Sequence, residues 1–473
     1  MMKESRRIVF LLCGICAVYG FTLAAAMPVR AETILTAGVV RDGTTGRPVA
    51  GAVVATENWA VLTDGQGAFR LISEGKRISV RAPGFRPRNL PLSESFDIAL
   101  EPFRPKALYL SFFGIGEPLL CNPALELIKQ TPLNSLVIDI KSDRGTIPFA
   151  SEVPLARQAG AQRVRTIRDL AKMIRDLKAQ NIYLIARIVT FKDPVLAEAR
   201  PEWGIQDERE HLYRDREGLA WVDPFRPEVW DYNISIAEEA AFYGFDEIQF
   251  DYVRFPDHLG LHFADEPLPE NRVRAIQNFL GRARNRLQRY NVTVAADIFG
   301  YACWDPTDTS IGQRLEDLAP MVDTLAPMLY PSGFENGIGC YRNPVAAPYK
   351  IVYLSLQKAR ERTGLSPLRF RPWLQSFRDY AFDRRRFGAE EIQAQIRAAD
   401  DFGSDGWMLW NASNVYSSSA IHPEGGCQSN AEILEPSSED AGERPTLPLI
   451  PVEGEDETGK IEKSGGREGN SKG

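Results

Sequence analysis

Histidine is scarce in this chain of 473 residues, with four, at positions 211, 258, 262 and 422. His258 and His262 have a metal-pair spacing of four, but no Glu stands between them and Gly260 disfavours the helix such a pair requires. They read as a surface loop, and no metal site or cofactor is expected. There is no Gly-x-Ser-x-Gly elbow and no phosphate-binding glycine loop, so serine hydrolases and nucleotide enzymes lack support. Positive charge is not in excess either: 56 Lys and Arg against 63 Asp and Glu leave a net charge of −7. No basic stripe carries interleaved aromatics, which argues against nucleic acid as a partner.

Long apolar runs are confined to Ile8–Ala26, preceded by Lys3, Arg6 and Arg7 and followed by Val29-Arg30-Ala31. Residues 1–31 therefore read as a signal peptide, cleaved on export to the periplasm or exterior, with an uncleaved membrane anchor as the alternative. After cleavage no membrane span is expected. Of six cysteines, Cys13 and Cys16 would leave with the signal; Cys121, Cys303, Cys340 and Cys427 would remain, an even number in an oxidising compartment.

What is present is ordinary globular composition, 44% hydrophobic and 25% charged, enough for a large core and a smaller module. Residues 33–103 are short alternating runs broken by Gly, Pro and Asp, such as Thr36-Ala-Gly-Val-Val40, Ala52-Val-Val-Ala55 and Ile78-Ser-Val-Arg81. That pattern predicts a small all-β sandwich. The series Gly38-Val-Val-Arg-Asp42, Thr45-Gly-Arg-Pro-Val49, Thr63-Asp-Gly-Gln-Gly-Ala-Phe69 and Val80-Arg-Ala-Pro-Gly-Phe85 closely resembles the carboxypeptidase regulatory-like (transthyretin-like) domain. The resemblance implies a spacer or adhesive module without chemistry. Asp64 with Gly65 and Gly67 reads as a tight turn rather than a calcium loop.

From 105 to 432, strand-like runs alternate with helical ones. Eight strands are predicted: Ala107–Phe112, Ser135–Lys141, Ile182–Val189, Glu247–Val253, Thr293–Phe299, Thr324–Tyr330, Phe370–Gln375 and Gly406–Trp410. Eight βα units favour an α/β fold, a (β/α)₈ TIM barrel following the sandwich. Residues 433–473 form an acidic tail expected to be disordered. Closure would make the first and last strands neighbours, which predicts disulfides Cys121–Cys427 and Cys303–Cys340; four unpaired thiols are the alternative.

The period-two rule puts several polar groups in the lumen, where branched aliphatics are usual. Asp139, Lys141 and Asp143 share a face of the second strand, Arg187 interrupts the third, Asp251 and Gln249 share a face of the fourth, and Asp297 ends the fifth. Unpaired buried charges cost several kcal/mol each, so these must be paired or functional. Asp139 with Arg187 reads as an orienting ion pair. Asp193-Pro194, Asp223-Pro224 and Asp305-Pro306 read as helix caps. Asp251 and Asp297 carry no such cap signature, and adjacent strands bring them together. Two carboxylates on one cleft are what glycosidic cleavage requires. Trp203, Trp221, Trp304, Tyr330, Trp373, Trp407 and Trp410 offer flat rings that match the C–H faces of sugars.

The motifs Phe245-Asp-Glu-Ile-Gln-Phe-Asp-Tyr-Val-Arg-Phe-Pro256, Ala296-Asp-Ile-Phe-Gly300, Pro327-Met-Leu-Tyr-Pro-Ser332, Arg371-Pro-Trp-Leu-Gln375 and Leu409-Trp-Asn411 closely resemble the bacterial TIM-barrel domains grouped as glycosyl hydrolases, themselves similar to the α-amylase-like clan. The resemblance implies a carbohydrate-active enzyme acting on a polysaccharide or oligosaccharide, with Asp251 as nucleophile and Asp297 as general acid. Asp139, Arg187, Gln249, Arg254, Tyr330, Trp373, Gln375, Trp410 and Asn411 are then the expected substrate contacts. Two departures stand out. The clan's Arg two residues before the nucleophile is Gln249 here, and its Glu acid is at best Asp297; the His that often follows Tyr-Pro-Ser is Gly333. Asp143 and Asp193 are therefore kept as reserve acids, and a non-catalytic polysaccharide-binding protein is the alternative function.

Overall fold

The computed structural model describes residues 34–56, 59–73 and 76–421. Residues 1–33, on which the expected signal peptide falls, and residues 422–473, with His422, Cys427 and the expected tail, lie outside them. Seven strands form the N-terminal sandwich: β1 (Ile34–Asp42), β2 (Val53–Ala55), β3 (Ala60–Leu62), β4 (Ala68–Ser73), β5 (Arg77–Arg81), β6 (Arg88–Pro91) and β7 (Ser95–Leu100). One sheet runs β4-β1-β7 and the other β3-β2-β5-β6. Between them lies a small core that includes Val40, Val54, Phe69, Leu71, Ile78, Val80 and Ile98, the residues that period-two alternation turns inward. Asp64 Oδ1 accepts the backbone N–H groups of Gln66 and Ala68, each at 2.9 Å, so this carboxylate organises a turn.

Eight parallel strands then close a barrel: β8 (Lys106–Leu110), β9 (Ser135–Lys141), β10 (Tyr183–Val189), β11 (Glu247–Asp251), β12 (Thr293–Phe299), β13 (Thr324–Met328), β14 (Trp373–Gln375) and β15 (Trp407–Trp410). The fold is a (β/α)₈ TIM barrel behind an all-β region, as the alternation of strand-like and helical runs predicts. Closure between β15 and β8 pairs Met408 with Ala107. It depends on Gly406 (φ 76°), since a Cβ there would stand 1.9 Å from the Pro105 carbonyl oxygen.

One face of each strand packs outward on the helices, through residues such as Leu136, Ile138, Leu184, Ile248 and Phe250. The other fills the lumen with Tyr109, Val137, Ile185, Trp373 and Met408. The helix Pro227–Tyr243 stops where Gly244 takes the left-handed conformation (φ 110°) and its N–H returns to the Ala240 and Ala241 carbonyls. The chain is thereby turned into β11.

The barrel floor holds a second ion cluster. Arg371 bonds both carboxylate oxygens of Glu247 (2.7 and 2.6 Å) and Oδ2 of Asp405 (2.5 Å), and Tyr183 donates to Glu247 at 3.1 Å. The sandwich sits against this floor. Arg81 pairs with Asp323, Asn291 donates to the Arg88 carbonyl, and the Phe103 ring lies 5.2 Å from Tyr183.

Several expectations are corrected. Cys303 and Cys340 are not bonded to each other and are free thiols among the described residues: Cys303 is buried in the turn after β12 and Cys340 is exposed in the Ile338–Tyr341 turn. Lys141 does not share the lumen with Asp139. A bulge at Ile140 pairs Lys141 with the outward residue Ile188. Its ammonium is then buried between barrel and helices, 2.7 Å from Asp193, 2.8 Å from Asn233 Oδ1 and 3.2 Å from the Thr190 carbonyl. Asp223 and Asp305 cap no helix; each accepts a backbone N–H two residues on, and Asp223 also accepts that of Ala264. Asp193 does cap the helix Pro194–Ala199 through Leu196 N. Among the described residues no helix is long and apolar enough to cross a membrane.

Candidate active site

The lumen stripe of β11 reads Glu247, Gln249, Asp251 from floor to rim, the alternation that strand geometry imposes. At the rim the chain breaks sharply. Tyr252 takes a left-handed conformation (φ 47°), costly for an aromatic residue, and its backbone N–H donates to Asp251 Oδ1 at 2.6 Å. The other oxygen, Oδ2, receives Arg187 Nε at 2.8 Å and Nη2 at 2.5 Å. Arg187 also reaches Asp139 Oδ1 with Nη1 at 2.6 Å. One guanidinium from β10 thus ties carboxylates from β9 and β11, and burial of all three makes this ion triad costly unless fully bonded. The expected Asp139–Arg187 pair is present, and the position two before Asp251, occupied by Gln249, is served instead by an Arg on the neighbouring strand.

Asp139 is completed by Tyr109, whose hydroxyl donates to Oδ2 at 2.7 Å, and by the Phe112 N–H at 3.3 Å. Burial pushes its carboxyl upward, while Arg187 and the Tyr109 hydroxyl act in the opposite direction.

Asp297 stands differently. It projects from β12 into the same lumen, is 1% exposed and pairs with no cation among the described residues. Trp373 donates its indole N–H to Oδ1 at 2.7 Å, whereas Oδ2 has no partner among the described residues. Burial, and next the Asp251 charge, push the Asp297 carboxyl well above the usual carboxylate range. Arg187 and the indole bond oppose that shift without cancelling it. Asp251, at 5% exposure, is paired to a guanidinium; Asp297 is set up to keep its proton.

Aromatic rings wall the cleft. Trp410 is half-buried, stacked on Tyr109 at 4.0 Å and edge-on to Trp373 at 5.5 Å, with the Arg187 guanidinium 4.8 Å from its ring. Tyr330 is half-buried against Phe377, and burial together with the charges of Asp297 and Asp251 raises its hydroxyl well above the ordinary phenol range. Arg254 lies over the rings of Trp221 and Tyr252 beside the Asp251 strand end.

Other expected contacts are placed elsewhere or engaged. Gln249 is buried below the carboxylates, with Oε1 unpartnered. The Gln375 amide is spent on Ser332 and the Phe377 carbonyl, and Asn411 binds the Ser376 and Val415 carbonyls. Both tie rim loops together. Trp407 packs outward in the helix-facing core and Trp304 donates to Ser355, so neither reaches the cleft. Asp143 is half-buried in the loop after β9, near Tyr109 and Asp139. Tyr109 was not anticipated, although the period-two rule applied to β8 places it beside Ala107 on the inward face.

The closed parallel barrel defines the class by fold, a (β/α)₈ TIM barrel. Residues 107–416 match the family described as "Putative glycosyl hydrolase domain", and the chain belongs to that family. Among solved structures it is similar to a hypothetical protein from Ruminiclostridium thermocellum, at 35% identity over 40% of this chain and 96% of that one, TM-score 0.36. It is also similar to the PgaB (BpsB) glycoside hydrolase domain from Bordetella bronchiseptica, at 15% identity over 68% of this chain and 100% of that one, TM-score 0.48. A third likeness is to a GH18 chitinase from Pseudoalteromonas aurantia, at 11% identity over 66% and 97%, TM-score 0.40. No curated protein matches.

Proposed function

We infer that the protein is a glycoside hydrolase of the periplasm or cell exterior, cleaving glycosidic bonds in a bacterial surface or extracellular polysaccharide. The observation that supports this most is the asymmetry of two lumen carboxylates: Asp251 is paired with Arg187, and Asp297 is buried without a cation partner among the described residues. Asp297 donates its proton to the departing sugar oxygen while Asp251 attacks the anomeric carbon, through an oxocarbenium-like transition state. Asp251 Oδ1 accepts one backbone bond and keeps a lone pair for that attack. Retention of anomeric configuration follows, with Asp297 returning as base for water. Trp410 supplies the sugar-stacking face, supported by Tyr109 and Trp373, and Tyr330 and Arg254 border the cleft. The N-terminal sandwich, as a carboxypeptidase regulatory-like module, acts as spacer or adhesive surface.

The depth of Asp297 favours one rival, a polysaccharide-binding protein that keeps the cleft without cleaving. The two are separated by incubating mature protein with bacterial exopolysaccharides and cell-wall glycans beside Asp251→Asn. New reducing ends from the parent alone support hydrolysis; equal, saturable binding by both with no release supports the rival.

A further inference from the structure

On the opposite side of the barrel from Asp251, a cavity of about 320 Å³ lies between the sandwich and the strand starts. That is the size of a small-molecule site rather than a packing defect. Its walls include the apolar residues Phe85, Phe103 and Val322, and four arginines, Arg81, Arg284, Arg369 and Arg371, against two aspartates, Asp323 and Asp405. Arg371 is shared by Glu247 and Asp405, a trio with one negative charge in excess, which leaves the cavity surroundings with a net surplus of one positive charge. Asp405 keeps Oδ1 without a partner among the described residues.

The remaining three cations share one anion. Asp323 bonds Arg81 Nε at 3.1 Å and Arg284 Nη2 at 3.4 Å. Arg369 has no carboxylate within ion-pair range among the described residues and binds only the carbonyls of Ala319, Val322 and Asp323. Arg81 is the most enclosed of these: its side chain is 5% exposed and its Nη1 is buried with no partner among the described residues. Buried guanidinium N–H groups are rarely left unbonded, and Arg81 is one of the residues lining this cavity with its surplus positive charge.

We propose that this cavity is a binding site for the carboxylate or phosphate group of a small, partly apolar molecule, with Arg81, Arg284 and Arg369 together supplying the countercharge. Because both sandwich and barrel line the cavity, occupancy braces one on the other.

The full mature chain is titrated calorimetrically with inorganic phosphate, benzoate and glucuronate, each against sodium chloride of equal ionic strength, and its melting temperature is followed in parallel. Saturable binding of at least one probe with a raised melting temperature is expected, weakened tenfold or more in Arg81→Gln. Arg284→Gln, whose side chain is 31% exposed, provides a second variant should Arg81→Gln fail to fold, and it should show the same loss. Asp251→Asn should bind as the parent does. Benzoate or glucuronate without phosphate identifies a carboxylate ligand, and phosphate alone identifies a phosphoryl one. No saturable binding of any probe, or unchanged affinity in the arginine variants, overturns the proposal.

Discussion

Trp373 donates its indole N–H to one oxygen of Asp297 and leaves the other bare. The bond favours the ionised carboxylate, so Trp373 restrains the upward shift that burial imposes. In Trp373→Phe that restraint is lost while a ring of similar shape remains. The alkaline limb of the pH–rate profile should move to higher pH, with the fold retained by circular dichroism. A profile unchanged in position would disconnect Trp373 from the acid.

Asp251→Asn keeps the shape of the rim but removes the attacking group. Hydrolysis should fall by more than about 10³-fold. Substrate binding should survive, since Trp410 and Tyr330 are untouched. Loss of binding in step with activity would point to misfolding or to a purely structural carboxylate.

Asp297 also predicts a pH dependence of stability. Its carboxyl is raised in the folded state, so between the ordinary carboxylate value and the raised one the native protein holds a proton that the unfolded chain has released. Stability contributed at this site is therefore present in acid and is lost as pH rises through that window. Asp297→Asn cannot ionise. It should match or exceed the parent's melting temperature at pH 7, and its advantage should shrink below about pH 4. A variant less stable than the parent at pH 7 would contradict this sign.

Lys141 and Asp193 form a fully buried pair outside the lumen. Lys141→Met should cost about 3–5 kcal/mol in denaturant unfolding, because it strands a buried carboxylate. Adding Asp193→Asn should recover part of that loss. If the single variant is neutral, the pair does not carry the charge assigned to it.

The two described cysteines after β12 should differ in reactivity. Burial pushes the Cys303 thiol up to about 12, whereas Cys340 is exposed. A disulfide-exchange reagent should label Cys340 in the native protein and Cys303 only after unfolding.

The barrel was legible because period-two runs and helical runs alternate eight times, and the stop at Gly244 before β11 marks the site strand. Asp251, Asp297, Asp139 and Arg187 were legible because charges on lumen positions stand out against aliphatics. What escaped depends on contacts between strands. That Arg187 serves Asp251 as well as Asp139 requires three strands in register, and the outward turn of Lys141 requires a bulge that no alternation announces. Gln375 and Asn411 look like site residues by motif, yet their amides are consumed by rim loops. Trp407 faces away because it stands an odd number of positions from Trp410 on the same strand.

The extra residue at Ile140 has an electrostatic result. Had β9 kept strict alternation, the Lys141 ammonium would stand in the lumen with Arg187, and two cations would face three carboxylates. With that ammonium turned outward, Arg187 alone faces Asp139, Asp251 and Asp297. The cleft therefore holds an excess of negative potential, which helps Asp297 retain its proton and favours the positive charge that develops on a sugar ring as its bond breaks.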